Sequence, residues 1–233
     1  TIHQRKLENV KKLKAGLLQK MFPKNDQEFP EIRFPEFTYA WEQRKLGEIM
    51  NVTSVKRIHQ SDWTSYGIRF LRARDLVALS KNETLDDPLY ISKKKYDEYS
   101  EISGKVKIGD LLVTGVGTIG IPMLIENLEP LYFKDGNIIW FQNENKIDGK
   151  FLYYSFTNNT IQKFITDVAG VGTVGTYTIA NGKLTPITLP TDEEEQQKIG
   201  TFFTALDRYI TIHQRKLENM QKLKKSLLQQ MFV

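Results

Sequence analysis

Residues 1–22 read TIHQRKLENVKKLKAGLLQKMF, and residues 211–232 read TIHQRKLENMQKLKKSLLQQMF. The two align without a gap at an offset of 210, and 17 of the 22 positions are identical. The positions that differ are Val10/Met220, Lys11/Gln221, Ala15/Lys225, Gly16/Ser226 and Lys20/Gln230. Agreement at this level is a duplication, and a duplicated segment constrains the architecture before any local pattern does.

The second copy extends a helical stretch that begins near Glu193. Leu206, Ile210, His213, Leu217, Met220, Lys224, Leu227 and Met231 follow one another at steps of four and three, which is a heptad seam. The first copy repeats the phase with His3, Leu7, Val10, Lys14, Leu17 and Met21. Leu13, Leu18, Leu223 and Leu228 flank the seam and widen the apolar face. The polar intruders, His and Lys, fall at matching positions in both copies. A polar seam residue lowers stability but can fix register. The histidines read as packed or solvent-reaching seam residues, because no second metal ligand sits at helical spacing from them. At about 1.5 Å per residue the helices would be roughly 30 Å and 50 Å long. If the residues between them fold compactly, the ends of that body lie close and the helices run back antiparallel beside each other. Separate docking on the central domain or on another chain is the competing arrangement.

A chain of 233 residues allows one or two domains. The absence of cysteine excludes a disulfide framework and cysteine-based zinc sites, and fits a reducing, cytoplasmic setting. No apolar run reaches the length of a membrane span, and the charged, amphipathic N-terminus is unlike a secretory signal. The chain starts inside a repeat unit without an initiator Met, which implies a piece of something longer or a segment cut at the repeat. The net charge of +5 is unevenly placed: residues 1–24 carry +6, residues 208–233 carry +5, and residues 25–207 carry −6. Overall basicity is therefore no argument for nucleic-acid binding by the middle, which needs a local patch.

Residues 23–40 hold three prolines and several aromatics, and read as an extended linker pinned to the surface. Trp41–Ile49 opens the central domain. Ile68–Leu71, Leu111–Thr114, Leu131–Phe133, Asn137–Phe141 and Leu184–Leu189 read as strands, with Lys134-Asp135-Gly136 as a hairpin turn. Phe151–Asp167 has helical spacing with an aromatic face, and Ala169–Thr176 is a glycine-rich loop. Thr191 or Asp192 caps the long helix, whose first turn is acidic. The expected fold class is α+β, one mixed domain inserted between two long helices that form an antiparallel coiled coil.

Gly115–Gly120 and Gly170–Gly175 both fit G-x-G-x-x-G. A dinucleotide site needs a strand before the glycines, a helix after them and an acidic residue about 20 positions on. The first motif is followed by Pro122 in a strand-like stretch, and the second follows a helix. Turns with backbone amides open to a phosphate backbone fit both better. No methyltransferase, P-loop, zinc-protease or nucleophile-elbow motif is present. What remains is a basic patch. Lys56, Arg57, Arg69, Arg72, Arg74 and Lys93-Lys94-Lys95 are interleaved with Trp63, Tyr66 and Tyr96, and Thr173 and Tyr177 are candidates from the second glycine loop. The alternation of Arg72 and Arg74 places them on one face of a strand. Arginine can fork onto guanine or phosphate, whereas lysine mainly neutralises phosphate. A solvated face is the competing interpretation of each.

Taken together, these features resemble the specificity subunit of type I restriction-modification systems. The resemblance rests on W-E-x-R-K-L-G-E-I at 41–49, G-D-L-L-V-T to G-T-I-G at 109–120 and T-P-I-T-L-P at 185–190. It continues through E-E-Q-Q-K-I at 194–199 and F-x-x-L-D at 203–207 into the repeated helix. Family members usually carry two target-recognition domains; this chain has one, like a C-terminal half or a half-size form. The implied organisation is a helix over 1–22, a linker over 23–40, a target-recognition domain over 41–190 and a second helix over 191–233. The resemblance implies reading of one half of a bipartite site on double-stranded DNA, without catalysis. It implies docking of methyltransferase subunits that bring S-adenosylmethionine, and of a restriction and translocase subunit that uses ATP and Mg. Two copies would rebuild a whole by two-fold symmetry. A coiled-coil scaffold whose acidic middle binds protein is the alternative, and an enzyme built on the glycine loops a weaker third.

Overall fold

A computed structural model describes residues 2–24, 27–170 and 175–231. The first repeat forms helix α1 (Ile2–Lys20), which stops before Pro23 because proline cannot continue the hydrogen-bond ladder. Met21 and Phe22, just past its end, are buried. The linker crosses the base of the last helix and delivers Trp41, 2% exposed, to the core. Strand β1 (Glu42–Lys45) and the short α2 (Leu46–Ile49) lead into β2 (Asn51–Thr53). Then come β3 (Trp63–Thr64), β4 (Ile68–Leu71), α3 (Ala73–Ser80), β5 (Leu89–Ile91) and α4 (Lys93–Ser103). They are followed by β6 (Leu111–Thr114), β7 (Pro122–Leu124), β8 (Leu131–Phe133) and β9 (Ile138–Gln142). The chain closes with α5 (Gly149–Thr157), α6 (Asn159–Val168), α7 (Ile179–Leu184), β10 (Pro186–Leu189) and α8 (Glu193–Met231).

One sheet has the order β2-β9-β6-β7 and a second the order β3-β5-β4-β8. Among the described residues, only β4 and β8 pair in parallel. Alternation along β9 explains how the sheets share a core. Ile139 and Phe141 face the helices α5 and α6, whereas Ile138 and Trp140 face the second sheet. Trp140 is held there by a hydrogen bond from Nε1 to Asp110 Oδ2 at 2.8 Å. Asp110, 1% exposed, also accepts from the amides of Lys107 and Asn143, which is why an acidic residue follows Gly109 at the entrance to β6.

The helix expected over 151–167 is two helices. Asn158 breaks it, turning its side chain to accept from the Thr160 amide and so capping α6. The last strand is confined to Pro186–Leu189, since residues 179–184 form α7.

β1 pairs antiparallel with β10, placing Glu42 opposite Leu189. This clasp joins the two ends of the domain, so α1 arrives where α8 departs. The helices run antiparallel: Phe22 packs against Phe203 at 6.2 Å, Lys14 Nζ meets Asp207 Oδ1 at 2.5 Å, and Lys11 Nζ donates to Gln214 Oε1 at 3.2 Å. Asp207 also accepts from the Tyr154 hydroxyl at 2.7 Å, tying α5 into the same junction. Burial and that carboxylate push the Tyr154 phenol well above the ordinary tyrosine range. α8 crosses α5 so closely that a Cβ on Gly200 would lie 2.7 Å from Lys150 Cβ.

The apolar seam is covered over part of its length. Leu7 and Met21 are buried, and Val10, Leu17, Leu206, Ile210 and Leu217 are half-buried. Met220 and Leu227 depart from the expected seam: they are 36% and 51% exposed.

Under the clasp, Glu195 has no solvent exposure and receives Arg33 Nε at 2.7 Å and Arg33 Nη2 at 2.8 Å. Trp41 Nε1 donates to the same carboxylate at 3.3 Å. Replacing Arg33 with Met leaves a buried charge without its counter-ion, and we expect a stability loss of about 3–5 kcal/mol in urea unfolding. A loss below about 1 kcal/mol would show that Glu195 keeps its charge solvated by another route.

Candidate nucleic-acid interface

The basic residues singled out in the sequence fall into separate groups. Segment 54–58 lies over the end of α4: the Lys56 amide donates to Ser103 Oγ at 2.6 Å, and the Tyr132 hydroxyl donates to the Lys56 carbonyl at 2.8 Å. Burial drives the Tyr132 phenol up to about 12, so this bond persists at any physiological pH. Val55 and Ile58 point into the core, which leaves Lys56 and Arg57 outside. Lys56 and Lys95 converge on the Tyr99 ring at 5.9 Å and 4.7 Å. The 54–58 segment, Tyr99 and the first turn of α4 thus come together on one basic and aromatic face, with Tyr132, 1% exposed, packed beneath it.

Ser92 caps α4 by accepting from the Lys95 amide. Lys93, Lys94 and Lys95 thus occupy a first turn, where the helix dipole disfavours cations. Two of them are compensated locally. Lys93 meets Asp97 at 2.5 Å, and Lys95 lies 3.8 Å from Asp62 and 3.6 Å from Glu98. Lys94, like Arg57, is exposed and has no carboxylate partner among the described residues. Arg69 stands on β4 opposite Tyr90 of β5, with its guanidinium 5.4 Å from that ring. This stacked pair on the sheet face is free of carboxylates among the described residues.

Arg72 and Arg74 do not share a strand face. β4 ends at Leu71, Arg72 caps α3, and Arg74 lies inside that helix. Arg72 forks onto Asp75 with bonds of 2.9 Å and 3.0 Å and reaches the Asp87 carboxylate at 3.2 Å. Asp75 chiefly, with Asp87, holds its guanidinium above its ordinary range. With its side chain only 17% exposed, Arg72 is a structural cation. Arg74 makes a rim pair with Asp87 at 3.0 Å. Tyr177 is fully buried and shares a 2.5 Å hydrogen bond with Thr185, so its ring cannot meet a ligand. Thr173 lies outside the described residues.

The first glycine loop turns the amides of its outer glycines into the fold, and residues 171–174 of the second lie outside the described residues. The Gly115 amide donates to the Asn137 carbonyl and the Gly120 amide to the Thr114 carbonyl, both at 2.8 Å. Gly115 is required by close approach, since a Cβ there would sit 2.6 Å from the Tyr177 carbonyl oxygen. This contact, with the Tyr177 amide donating to the Gly115 carbonyl, joins the two glycine stretches that the sequence keeps 55 residues apart.

A mixed domain closed by a two-strand clasp between paired helices, with a basic-aromatic face, defines the class of protein. Residues 39–222 match the family model described as the type I restriction modification DNA specificity domain, and the chain belongs to that family. It is 27% identical over 237 aligned positions to the type I restriction enzyme MjaVIII specificity subunit of Methanocaldococcus jannaschii, covering 96% of this chain and 53% of that protein. It is 31% identical over 170 positions to a putative type I restriction enzyme specificity subunit of Haemophilus influenzae, covering 72% of this chain and 40% of the relative. Among solved structures, the HsdS subunit from Thermoanaerobacter tengcongensis superposes with a TM-score of 0.63 at 14% identity, over 98% of this chain and 52% of that one. A chain from a type I R-M system complex superposes with a TM-score of 0.66 at 16% identity, over 96% and 51%. The chain thus spans about half the length of the curated relatives it matches.

The two kinds of arginine separate experimentally. Arg72→Ala strips the counter-ion from Asp75, which is 3% exposed, and should lower stability by about 3 kcal/mol. Arg57→Ala should stay within about 0.5 kcal/mol of the parent. Equal urea midpoints for the two variants would contradict the structural assignment of Arg72.

Proposed function

We propose that this chain is the non-catalytic DNA-reading unit of a type I restriction-modification assembly, recognising one half of a bipartite site. The observation that carries this reading is the arrangement of a single domain between two copies of one helix, in a member of the specificity family. The exposed Arg57 and Lys94, the stacked Arg69 and the Lys56–Lys95 pair on Tyr99 supply phosphate neutralisation and base-edge donors. Arg57 and Arg69 are the stronger picks for base contacts, since a guanidinium without a carboxylate partner can fork onto guanine.

The helical rod docks methyltransferase subunits, which bring S-adenosylmethionine and the reacting centre. A restriction and translocase subunit with ATP and Mg completes the assembly. Either two copies of this chain or a further recognition domain supplies the other half-site. Two copies related by a two-fold axis present identical readers and therefore require palindromic halves.

Co-purification with a matching methyltransferase subunit, followed by genome-wide mapping of methylated positions, tests the reading. The expected result is a bipartite motif. Identical halves indicate two copies, and unlike halves a second domain. Methylation without a bipartite motif would remove the proposed role. In that complex, Arg57→Ala and Arg69→Ala should each weaken cognate binding by about 10-fold, with a shallower salt dependence for whichever residue touches only phosphate.

A further inference from the structure

The stretch from residue 56 to residue 67 differs from the rest of the domain in what it shows to solvent. Lys56, Arg57, His59, Gln60, Ser65 and Tyr66 are all exposed. The stretch holds a single acid, Asp62, in a domain that carries −6 over residues 25–207. That acid is turned to internal use. Its Oδ2 accepts from the His59 amide at 3.3 Å, and its Oδ1 lies 3.8 Å from Lys95 Nζ. The outward side of the stretch is therefore a ridge of hydrogen-bond donors with no free carboxylate of its own.

The backbone beneath the ridge is pinned along its length. Ile58, 1% exposed, enters the core, and Trp63 packs on Phe70 at 5.9 Å. Between them a single 3-10 turn over Gln60–Asp62 sets Gln60 at an exposed corner. Beyond Trp63 the chain arches across the end of β5. Strands β3 and β4 both pair antiparallel with β5, one on each side, so residues 65–67 must cross it to join them. Gly67 makes the crossing possible: its φ is +124°, and a Cβ there would lie 2.4 Å from the Ile91 carbonyl oxygen. Thr64 Oγ1 donates to the Tyr66 carbonyl at 2.7 Å and fixes the arch, from which Tyr66 projects 81% exposed. The arch rests against Ser92, the cap of α4, whose first turn carries the exposed Lys94. Free side chains on a fixed backbone suit recognition, because little chain entropy is lost when they engage.

We propose that this ridge is the base-reading edge of the domain, with Gln60 and Tyr66 as specificity-determining residues, Gln60 for an adenine and Tyr66 for a thymine methyl at a second position. The inference deepens the DNA-reading role proposed above and rests on it. Chemistry assigns the bases. The Gln60 carboxamide makes no hydrogen bond among the described residues, and it presents a donor and an acceptor side by side. Adenine offers the matching acceptor and donor, N7 and N6, on its major-groove edge. The Tyr66 ring offers a flat apolar surface, and the thymine C5-methyl is the apolar group on that edge. Lys94 stands beside them, where an unpaired ammonium neutralises phosphate without reading sequence.

The test uses the complex with a matching methyltransferase subunit and maps methylated positions for each variant. Gln60→Ala should keep the bipartite motif but lose discrimination at one A·T pair of the half-site by about 10-fold. Gln60→Glu, whose carboxylate only accepts, should shift that same position toward cytosine. Tyr66→Ala should relax a different A·T pair by about 10-fold, and Tyr66→Phe should keep it. Lys94→Ala should lower methylation uniformly and leave the motif unchanged. A motif unchanged by Gln60→Ala or by Tyr66→Ala, or relaxation at a G·C pair instead, would overturn the assignment while the DNA-reading role stands. Loss of co-purification with an unchanged motif would make the ridge a protein contact and overturn it equally. A parent without a bipartite motif would sink the DNA-reading role itself, and this inference with it. Both side chains are exposed, so urea midpoints should match the parent's. Should an alanine variant fail to fold, Gln60→Glu decides: a shift to cytosine supports the ridge, and an unshifted motif overturns it.

Discussion

Glu195 brings a full charge to a site with no solvent exposure, and the way the rod meets the domain depends on how that charge is satisfied. Only a counter-ion with matched geometry makes such burial tolerable. Arg33 supplies it as a two-pronged fork, and Trp41 closes the remaining direction. Arg33 belongs to the linker, Trp41 opens the domain and Glu195 sits in the first turns of α8. One carboxylate therefore fixes three segments that the sequence scatters over 160 residues. The aromatic cluster beneath it contributes the bulk of the adhesion: Phe22, Trp41, Phe151 and Phe203 meet at ring separations of 5.4–6.2 Å. The pair sets position, and the rings hold it.

With that junction fixed, the rod has little freedom. The β1–β10 clasp sets where α1 enters and α8 leaves, and the Lys14–Asp207–Tyr154 network sets their register. Lys14 is one of the polar residues that interrupts the heptad, and its partner is a carboxylate on the facing helix. A leucine at that position would pack at any register one heptad apart. A lysine that must reach Asp207 has one.

The duplication, the seam, most strands and the capped start of α8 were legible because each leaves a local signature. Asp192 does cap that helix, accepting from the Glu194 amide. The misplacement of Arg72 and Arg74 has a definite origin. Alternation continues past Leu71 in sequence, but Asp75 three residues after Arg72 is a helix-start signal that outweighs it. Asp87, which captures both arginines, is distant in sequence and carries no pattern. Asn158-Asn159-Thr160 held a readable break in the helix over 151–167, since asparagine favours the cap over the interior. Burial of Tyr177 was not legible: a single residue after a glycine loop has no periodicity, and its place depends on Gly115, just past the end of β6.

The electrostatics of the domain separate specificity from affinity. Residues 25–207 carry −6, and several of their surface cations are matched by carboxylates: Lys93 by Asp97, Lys95 by Asp62 and Glu98, Arg74 by Asp87. A surface of this kind has little attraction for a phosphate backbone as such, so it cannot rely on the sequence-independent attraction that dominates most DNA binding. For the DNA-reading role proposed above this is an advantage as well as a cost. In that role weak general attraction would limit time spent on wrong sites, and unmatched donors such as Arg57 and Lys94 would count only where bases face them. Within the proposed assembly, the missing attraction would have to come from other subunits. The rod is where this chain concentrates positive charge, with +6 over residues 1–24 and +5 over residues 208–233.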